Sequence, residues 1–283
     1  MSEMNHLDRR SLLKLGAGGL VLAGPLGQLA AGAGVQNPYG GFKMGIQSYS
    51  LRGYETDEAL AKTKDLGLKY WESFRKHFPL TDSRAEIAEY KKKLADNGIT
   101  LMAYGVQNFA KDTDANRREF EFAKAMGIRV ISANPAPESF DNLDKLVEEY
   151  QLNIAIHNHG SNDKQYGKID QVLKAIMNHH ERIGACVDTG HYIDADEDPV
   201  KAIEAFGQRT YGVHLKDVKS LPGGRKDYTI LGKGDLDVVG CLKQLKKLKF
   251  DQCISLEYEK NEKNPIADIR ECLAVVQEAV KKV

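Results

Sequence analysis

The sequence lacks an excess of charge of either sign. Forty lysines and arginines stand against forty aspartates and glutamates, and the formal net charge is zero. Nucleic-acid binding draws much of its affinity from neutralised phosphates, so a basic excess or a basic face is its usual signature. None is present, and "KKLKF" at 246–250 reads as the solvated face of a helix. Cysteine is scarce. Cys186, Cys241, Cys253 and Cys272 form no C-x-x-C pair, which argues against a zinc ribbon or a disulfide scaffold. They read as small buried hydrophobes, with one bridge left open in an oxidising compartment. No G-x-G-x-x-G follows the first strand-like run, which argues against a dinucleotide-binding open sheet. Long apolar runs are absent as well. Only about 17 weakly apolar residues follow Lys14, marginal for crossing a bilayer, so no stable membrane insertion is expected.

What is present begins with a segment that does not belong to the fold. "DRRSLLKLGAGGLVLAGPLGQLAAGAG" carries Arg9 and Arg10, then a glycine- and alanine-rich apolar stretch, then Ala31-Gly32-Ala33 as an A-x-A cleavage site. It resembles a twin-arginine export signal, with Asp8 and Leu12 in place of that signal's usual serine or threonine and its phenylalanine. Residues 1–33 are therefore expected to be a signal peptide and the protein periplasmic. That route carries folded proteins, often with a cofactor already in place.

From about residue 40 to 283 the pattern is regular. Short apolar runs occur at 44–50, 68–74, 99–106, 128–135, 152–157, 183–188, 210–216 and 253–259. Amphipathic stretches separate them, among them "TDEALAKTKDLG", "SRAEIAEYKKKLADNG" and "TDANRREFEFAKAMG". Each opens on a capping-type residue and closes on glycine. "DPVKAIEAFG" places Pro199 in a first helical turn, where its missing N–H costs nothing. Strands alternating with helices pair in parallel through right-handed crossovers, and eight such units fit an α/β fold of one domain, a (β/α)8 TIM barrel.

In that fold the chemistry gathers at the C-terminal ends of the strands. Polar residues there are Glu72 on the second strand, then His157, Asn158 and His159 in "IAIHNHG" on the fifth. The sixth offers Asp188 and His191, the seventh His214, Lys216 and Asp217, and the eighth Glu257 and Glu259. Buried ionisable groups are costly unless they are paired or bind a cation. His157, Asp188, His214 and Glu257 come one each from four consecutive strands. Two imidazoles and two carboxylates suit a divalent ion: Mn2+ first, since four protein ligands leave positions for substrate only at higher coordination, then Zn2+, Co2+ or Fe2+.

"VDTGHYIDADEDP", "GVHLKDVK" and "ISLEYE" resemble the xylose isomerase-like barrels, a superfamily of sugar epimerases, inosose dehydratases and AP endonucleases. The resemblance implies a metal held by Asp188, His214 and Glu257, with His157 where many epimerases carry glutamate, and with His191 facing the substrate. It leaves open which of His157 and His159 is the ligand, and favours His157, with His159, Asn158 and Glu72 as substrate contacts. It implies an isomerase or epimerase acting on a ketose or keto-sugar through a metal-stabilised enediolate, with Glu257 as base and Lys216 steadying the oxygen or donating a proton. A metal-bound imidazole is a poor base, so His157 weakens a two-glutamate epimerase mechanism. The alternative is a carbon–oxygen lyase of the inosose-dehydratase or 3-keto-sugar kind, and a sugar-binding barrel without catalysis is a third reading. The endonuclease branch needs further histidines after the second and third strands, absent from "YWESF" and "AYGV". The expected partner is a small sugar derivative, with no nucleic acid; a homo-oligomer is compatible with the sequence. The long segment "KSLPGGRKDYTILGKGDLD" reads as a lid or binding loop, with Arg225 and Lys226 offered to an anion or to solvent.

Overall fold

The computed structural model describes residues 37–283. The signal segment and cleavage site expected at 1–33 lie outside the described residues. Every apolar run supplies a strand: β1 (Lys43–Gln47), β2 (Tyr70–Ser73), β3 (Thr100–Phe109), β4 (Val130–Pro135), β5 (Asn153–His157), β6 (Ile183–Asp188) and β7 (Thr210–Leu215). Two short strands, β8 (Asp217–Ser220) and β9 (Lys226–Thr229), precede β10 (Cys253–Leu256). Strands β1 to β7 and β10 close into a barrel in the order β1-β10-β7-β6-β5-β4-β3-β2. Every neighbouring pair is parallel. This is the closed eight-stranded parallel barrel that the alternating pattern predicts.

Helices α1 (Thr56–Asp65), α2 (Arg84–Asp96), α3 (Thr113–Met126), α4 (Phe140–Tyr150) and α5 (Ile169–Met177) follow β1 to β5 in turn. Helices α6 (Thr189–Asp194) and α7 (Pro199–Phe206) follow β6; α8 (Val238–Lys247) and α9 (Ile266–Ala279) complete the ring. Their ends form where the sequence marks them. The Ser83 hydroxyl accepts from the Glu86 N–H at 3.3 Å, and Gly127 ends α3 in the left-handed conformation. Thr56 departs from the capping role: its hydroxyl donates instead to the His77 carbonyl at 2.8 Å. Among the described residues, no helix is long and apolar enough to cross a membrane.

Side chains alternate across each strand, and the alternation decides what the barrel contains. Ile154, Ile156, Ile183, Val187, Val213, Leu215, Ile254 and Leu256 are buried in the apolar layer shared with the helices. The opposite face carries small residues: Ala103, Ala155 and Cys186 cluster separately, with Val130 and Tyr211 against them. The interior is narrow there, since a Cβ on Gly212 would come within 3.1 Å of the Cys186 sulfur. Nearer the C-terminal mouth the same face carries Gln47, Glu72, His157, Asp188, His214 and Glu257, all buried. Small residues below and ionisable residues above thus share one side of the sheet. All four cysteines are free and buried, so the bridge left open by the sequence is not formed. Burial pushes the Cys253 thiol up to about 12.

Candidate metal centre

Four donor atoms, from His157, Asp188, His214 and Glu257, lie within 4.8 Å of one another. His157 Nε2 is 3.0 Å from His214 Nδ1 and 3.4 Å from Asp188 Oδ2. His214 Nδ1 is 3.8 Å from Asp188 Oδ2 and 3.2 Å from Glu257 Oε2. Atoms bound to one ion at about 2.0–2.2 Å stand roughly 3–4.4 Å apart, so this set fits a single divalent cation. The lone pairs agree. Asp188 Oδ2 and Glu257 Oε2 are buried in ion-pair contact with Lys216, at 3.0 and 2.9 Å, and a carboxylate oxygen so paired keeps a second lone pair for a cation.

Each ligand is fixed by its own local structure. Asp188 divides its oxygens: Oδ1 accepts from the His191 N–H at 2.8 Å as the N-cap of α6, leaving Oδ2 for the cluster. Thr189 ties two strand ends together, its hydroxyl donating to the Lys216 carbonyl at 2.7 Å and accepting from the Lys216 N–H at 2.9 Å. Gly190 leaves room for the Lys216 stem, since a Cβ there would sit 2.7 Å from Cγ of that lysine. The motif "DTGH" therefore supplies a ligand, a strand tie, a clearance and a cavity-lining imidazole in four successive residues. On His214, Nε2 lies 3.0 Å from Glu72 Oε1, which sets the ring so that Nδ1 faces the cluster.

The electrostatics hold His157 and both carboxylates in the form a metal needs, whereas His214 is biased toward its protonated form and must release that proton to ligate. Burial keeps His157 well below the ordinary imidazole value, hence neutral. Burial favours neutral carboxyls at Asp188 and Glu257, but Lys216 foremost, with the neighbouring imidazoles, holds both well below the usual carboxylate range. Burial likewise opposes an ammonium at Lys216, yet Asp188, Glu257 and Glu259 raise its pKa well above normal. Its Nζ lies 3.0 Å from Asp188 Oδ2 and 2.9 Å from Glu257 Oε2, and donates a hydrogen bond to Glu259. Burial weighs against a charged His214, and the adjacent Cys186, Glu72 and Glu257 outweigh it, raising the pKa.

The cluster opens onto a cavity of about 440 Å³, within the range of small-molecule sites. His157, His159, His191, Lys216, Glu257 and Glu259 line one side of it. The His159 ring lies 4.5 Å from that of His157, centre to centre, and His159 is not among the four clustered ligands. His191 Nε2 is 3.4 Å from the Lys216 ammonium. Two residues expected to meet substrate do not reach the cavity. Glu72 is buried beneath His214, its oxygens accepting from the hydroxyls of Ser132 at 2.6 Å and Ser255 at 2.7 Å. Asn158 joins the ends of β5 and β6, accepting from the Asp188 N–H at 2.9 Å and donating to the Asp188 carbonyl at 3.1 Å. Both contact candidate ligands, Glu72 the His214 ring and Asn158 the Asp188 backbone, and neither lines the cavity.

The long segment after β7 is an antiparallel hairpin of β8 and β9. Lys226 is spent there on the C-terminal end of α6, donating to the carbonyls of Ile193 at 2.5 Å and Asp194 at 3.1 Å. Sequence reasoning missed Tyr228 on this hairpin, whose ring lies 5.3 Å from the Lys216 nitrogen. It also missed Arg75, which lines the cavity two residues beyond the end of β2. Its place just past a strand end was the available signal. His77 turns away from the cavity, buried against Trp71 and Phe74, with Nε2 on the Tyr54 carbonyl at 3.2 Å.

Similarity to known proteins agrees with this geometry. The "Inosose dehydratase" of Clostridium beijerinckii is 24% identical over 139 residues, 44% of this chain and 46% of that protein. "Probable endonuclease 4" of Thermoplasma acidophilum is 24% identical over 189 residues, 56% of this chain and 66% of that protein. The chain thus spans between about half and two thirds of the length of these curated relatives. Among solved structures, the IOLI protein with a binding zinc atom superposes with a TM-score of 0.71 at 17% identity, covering 85% of this chain and 99% of that one. L-ribulose 3-epimerase does so at 0.69 and 16%, covering 85% and 95%. At such identities these two show the fold alone. The family model for the xylose isomerase-like TIM barrel matches residues 60–279, and the chain belongs to that family.

Proposed function

We propose that this chain is a metal-dependent enzyme that removes a proton next to a carbonyl of a sugar derivative. The observation that carries the reading is the four-ligand cluster opening, beside a buried ammonium, onto a cavity of small-molecule size. A divalent ion in that cluster supplies Lewis acidity, polarising a carbonyl and making the adjacent C–H more acidic. Glu257 brings Oε2 to the cluster and keeps Oε1 to accept the proton, and its depressed pKa keeps it ionised at neutral pH. As the C–H electron pair moves toward the carbonyl oxygen, the Lys216 ammonium stabilises the developing charge. Return of the proton to the neighbouring carbon, with the hydroxyl proton passing from the adjacent oxygen to the former carbonyl oxygen, gives an isomerase. Return of the electron pair with loss of a β-hydroxyl, protonated by Lys216 and leaving as water, gives a lyase.

The cavity walls favour chemistry from one side. Glu257 and Glu259, the carboxylates that line it, both come from the β10 end, whereas β1 to β3 present Gln47, Tyr49, Phe74, Arg75, Gly105 and Val106. A two-glutamate epimerisation needs a carboxylate on each face of the substrate. The one-sided arrangement supports the lyase, or a single-base isomerase, over that mechanism. Likeness to proteins named inosose dehydratase agrees with the lyase branch. For DNA cleavage, the β2 and β3 side of the cavity offers no histidine. The test follows solvent deuterium entering the substrate carbon with a panel of ketoses, 3-keto sugars and inososes. Glu257→Gln should slow exchange by at least about 100-fold, and product identification separates isomer from dehydrated sugar. Undiminished exchange in that variant removes Glu257 as the base. Cleavage of abasic DNA by the wild type would replace the proposal.

A further inference from the structure

The wall facing the candidate metal centre holds a guanidinium that the reaction above does not use. In the closed strand order three strands separate β2 from β6 in either direction, so the β2 end lies across the barrel mouth from Asp188 and His191. Arg75 follows that end and lines the cavity. Two acceptors from other elements hold it. Gln107 Oε1, on β3, takes Nε at 3.1 Å and Nη2 at 2.5 Å, and Glu119 Oε1, on α3, takes Nη2 as well. Among the described residues Nη1 has no protein partner. The Arg75 side chain is 50% exposed, whereas that of Glu119 is 8% exposed.

The energetics of this clamp point outward, toward a ligand. Glu119 sits among the buried core residues Phe120, Phe122 and Ala123, where an apolar side chain would pack without desolvation cost. Burial raises its pKa against the pull of Arg75. Glu119 Oε2 and Gln107 Nε2 are themselves buried without partners. Such an ion pair contributes little to stability compared with apolar residues of similar volume. What the pair does achieve is geometric: Nε and Nη2 of a planar five-donor group are immobilised, and Nη1 is left without a partner among the described residues, on a side chain that lines the cavity. On the opposite wall the Lys216 ammonium is already engaged by Asp188, Glu257 and Glu259, which leaves Arg75 as the half-exposed cationic group lining the cavity. Tyr49 and Phe74, in edge contact at 5.4 Å, flank Arg75 with an aromatic surface suited to the apolar face of a sugar ring.

We propose that Arg75, pre-set by Gln107 and Glu119, binds an anionic group of the substrate, so that the preferred sugar derivative carries a carboxylate or a phosphate at the end remote from the reacting carbonyl. This deepens the sugar reading and rests on it. The test is calorimetric binding of D-glucose, D-glucuronate and D-glucose 6-phosphate to the metal-loaded full chain. The comparison variants are Arg75→Met and the double variant Arg75→Met/Glu119→Leu. The double variant removes both partners of the buried pair and is expected to fold as well as the wild type. Wild type should bind at least one of the anions about tenfold or more tighter than glucose, as a charge-assisted contact implies. Which anion it is separates carboxylate from phosphate recognition. In both variants the preference for the anion over glucose should vanish. A wild type without preference, or a preference that survives in the folded double variant, overturns the proposal and leaves the sugar reading standing. Failure of all three probes to bind overturns both.

Discussion

At the residue scale, the site depends on which atom of each side chain remains available. Asp188 and His214 each direct one atom to the cluster and commit the other to a neighbour, the α6 N-terminus and Glu72 respectively. Glu72 is the most informative of these supports, because it is buried and touches no ligand-binding surface. Burial favours its neutral acid, but His214 first, then the Ser132 and Ser255 hydroxyls, hold its pKa below the usual value. Glu72→Gln keeps the shape and removes the charge that orients the His214 ring. It should weaken divalent-metal affinity by about 10- to 100-fold, measured by competition with a chelating dye, with the circular dichroism spectrum unchanged. Affinity equal to wild type would show that Glu72 does not set the ring.

At the element scale, strand ends and the loops after them carry the chemistry, and this was largely legible in the sequence. The four clustered residues were readable because they occupy matching ends of four consecutive strand-like runs. Glu72 and Asn158 lie off the cavity lining for a reason the sequence does not carry: a strand end shows that a polar residue is near the mouth, not whether it faces the cavity or the layer beneath. The clamp on Arg75 was illegible because Glu119 lies on a helix distant in sequence and shows no pattern apart from its solvated neighbours. The β8–β9 hairpin escaped because its short strands lie in a glycine-rich segment, read as loop.

A further contact at this scale joins the β2–α2 connection to the approach to α1. His77 accepts the Thr56 hydroxyl on its carbonyl and places its ring nitrogen on the Tyr54 carbonyl. Burial lowers its pKa from 6.5 to about 4, so the ring is neutral in the folded protein across most of the accessible range. The unfolded chain takes up a proton below about pH 6.5 and the folded chain only near 4. Stability from this histidine is therefore complete above 6.5 and is lost as the pH falls toward 4, by about 3 kcal/mol. His77→Phe should flatten the decline in denaturation midpoint between pH 6.5 and 4 by a corresponding amount. An unchanged pH slope would show that the ring titrates as it does in the unfolded chain.

At the scale of the whole molecule, one closed parallel barrel places a ligand-rich arc from β5 to β10 against an aromatic and cationic arc from β1 to β3. Apolar residues on the outward face of every strand hold the barrel to its helices, which frees the inward face near the mouth for groups that would destabilise an ordinary core. Membership of the xylose isomerase-like family accounts for the scaffold. Two imidazoles and two buried carboxylates converging from β5, β6, β7 and β10 carry the central proposal: the mouth is suited to a divalent cation. The most direct measurement is elemental analysis of the full chain, folded in the cytoplasm and purified without chelator, beside His157→Ala. The account predicts about one divalent ion per wild-type chain and a substoichiometric, easily dialysed ion in the variant. Wild-type protein without stoichiometric metal, or a variant that retains it as firmly, would contradict the account.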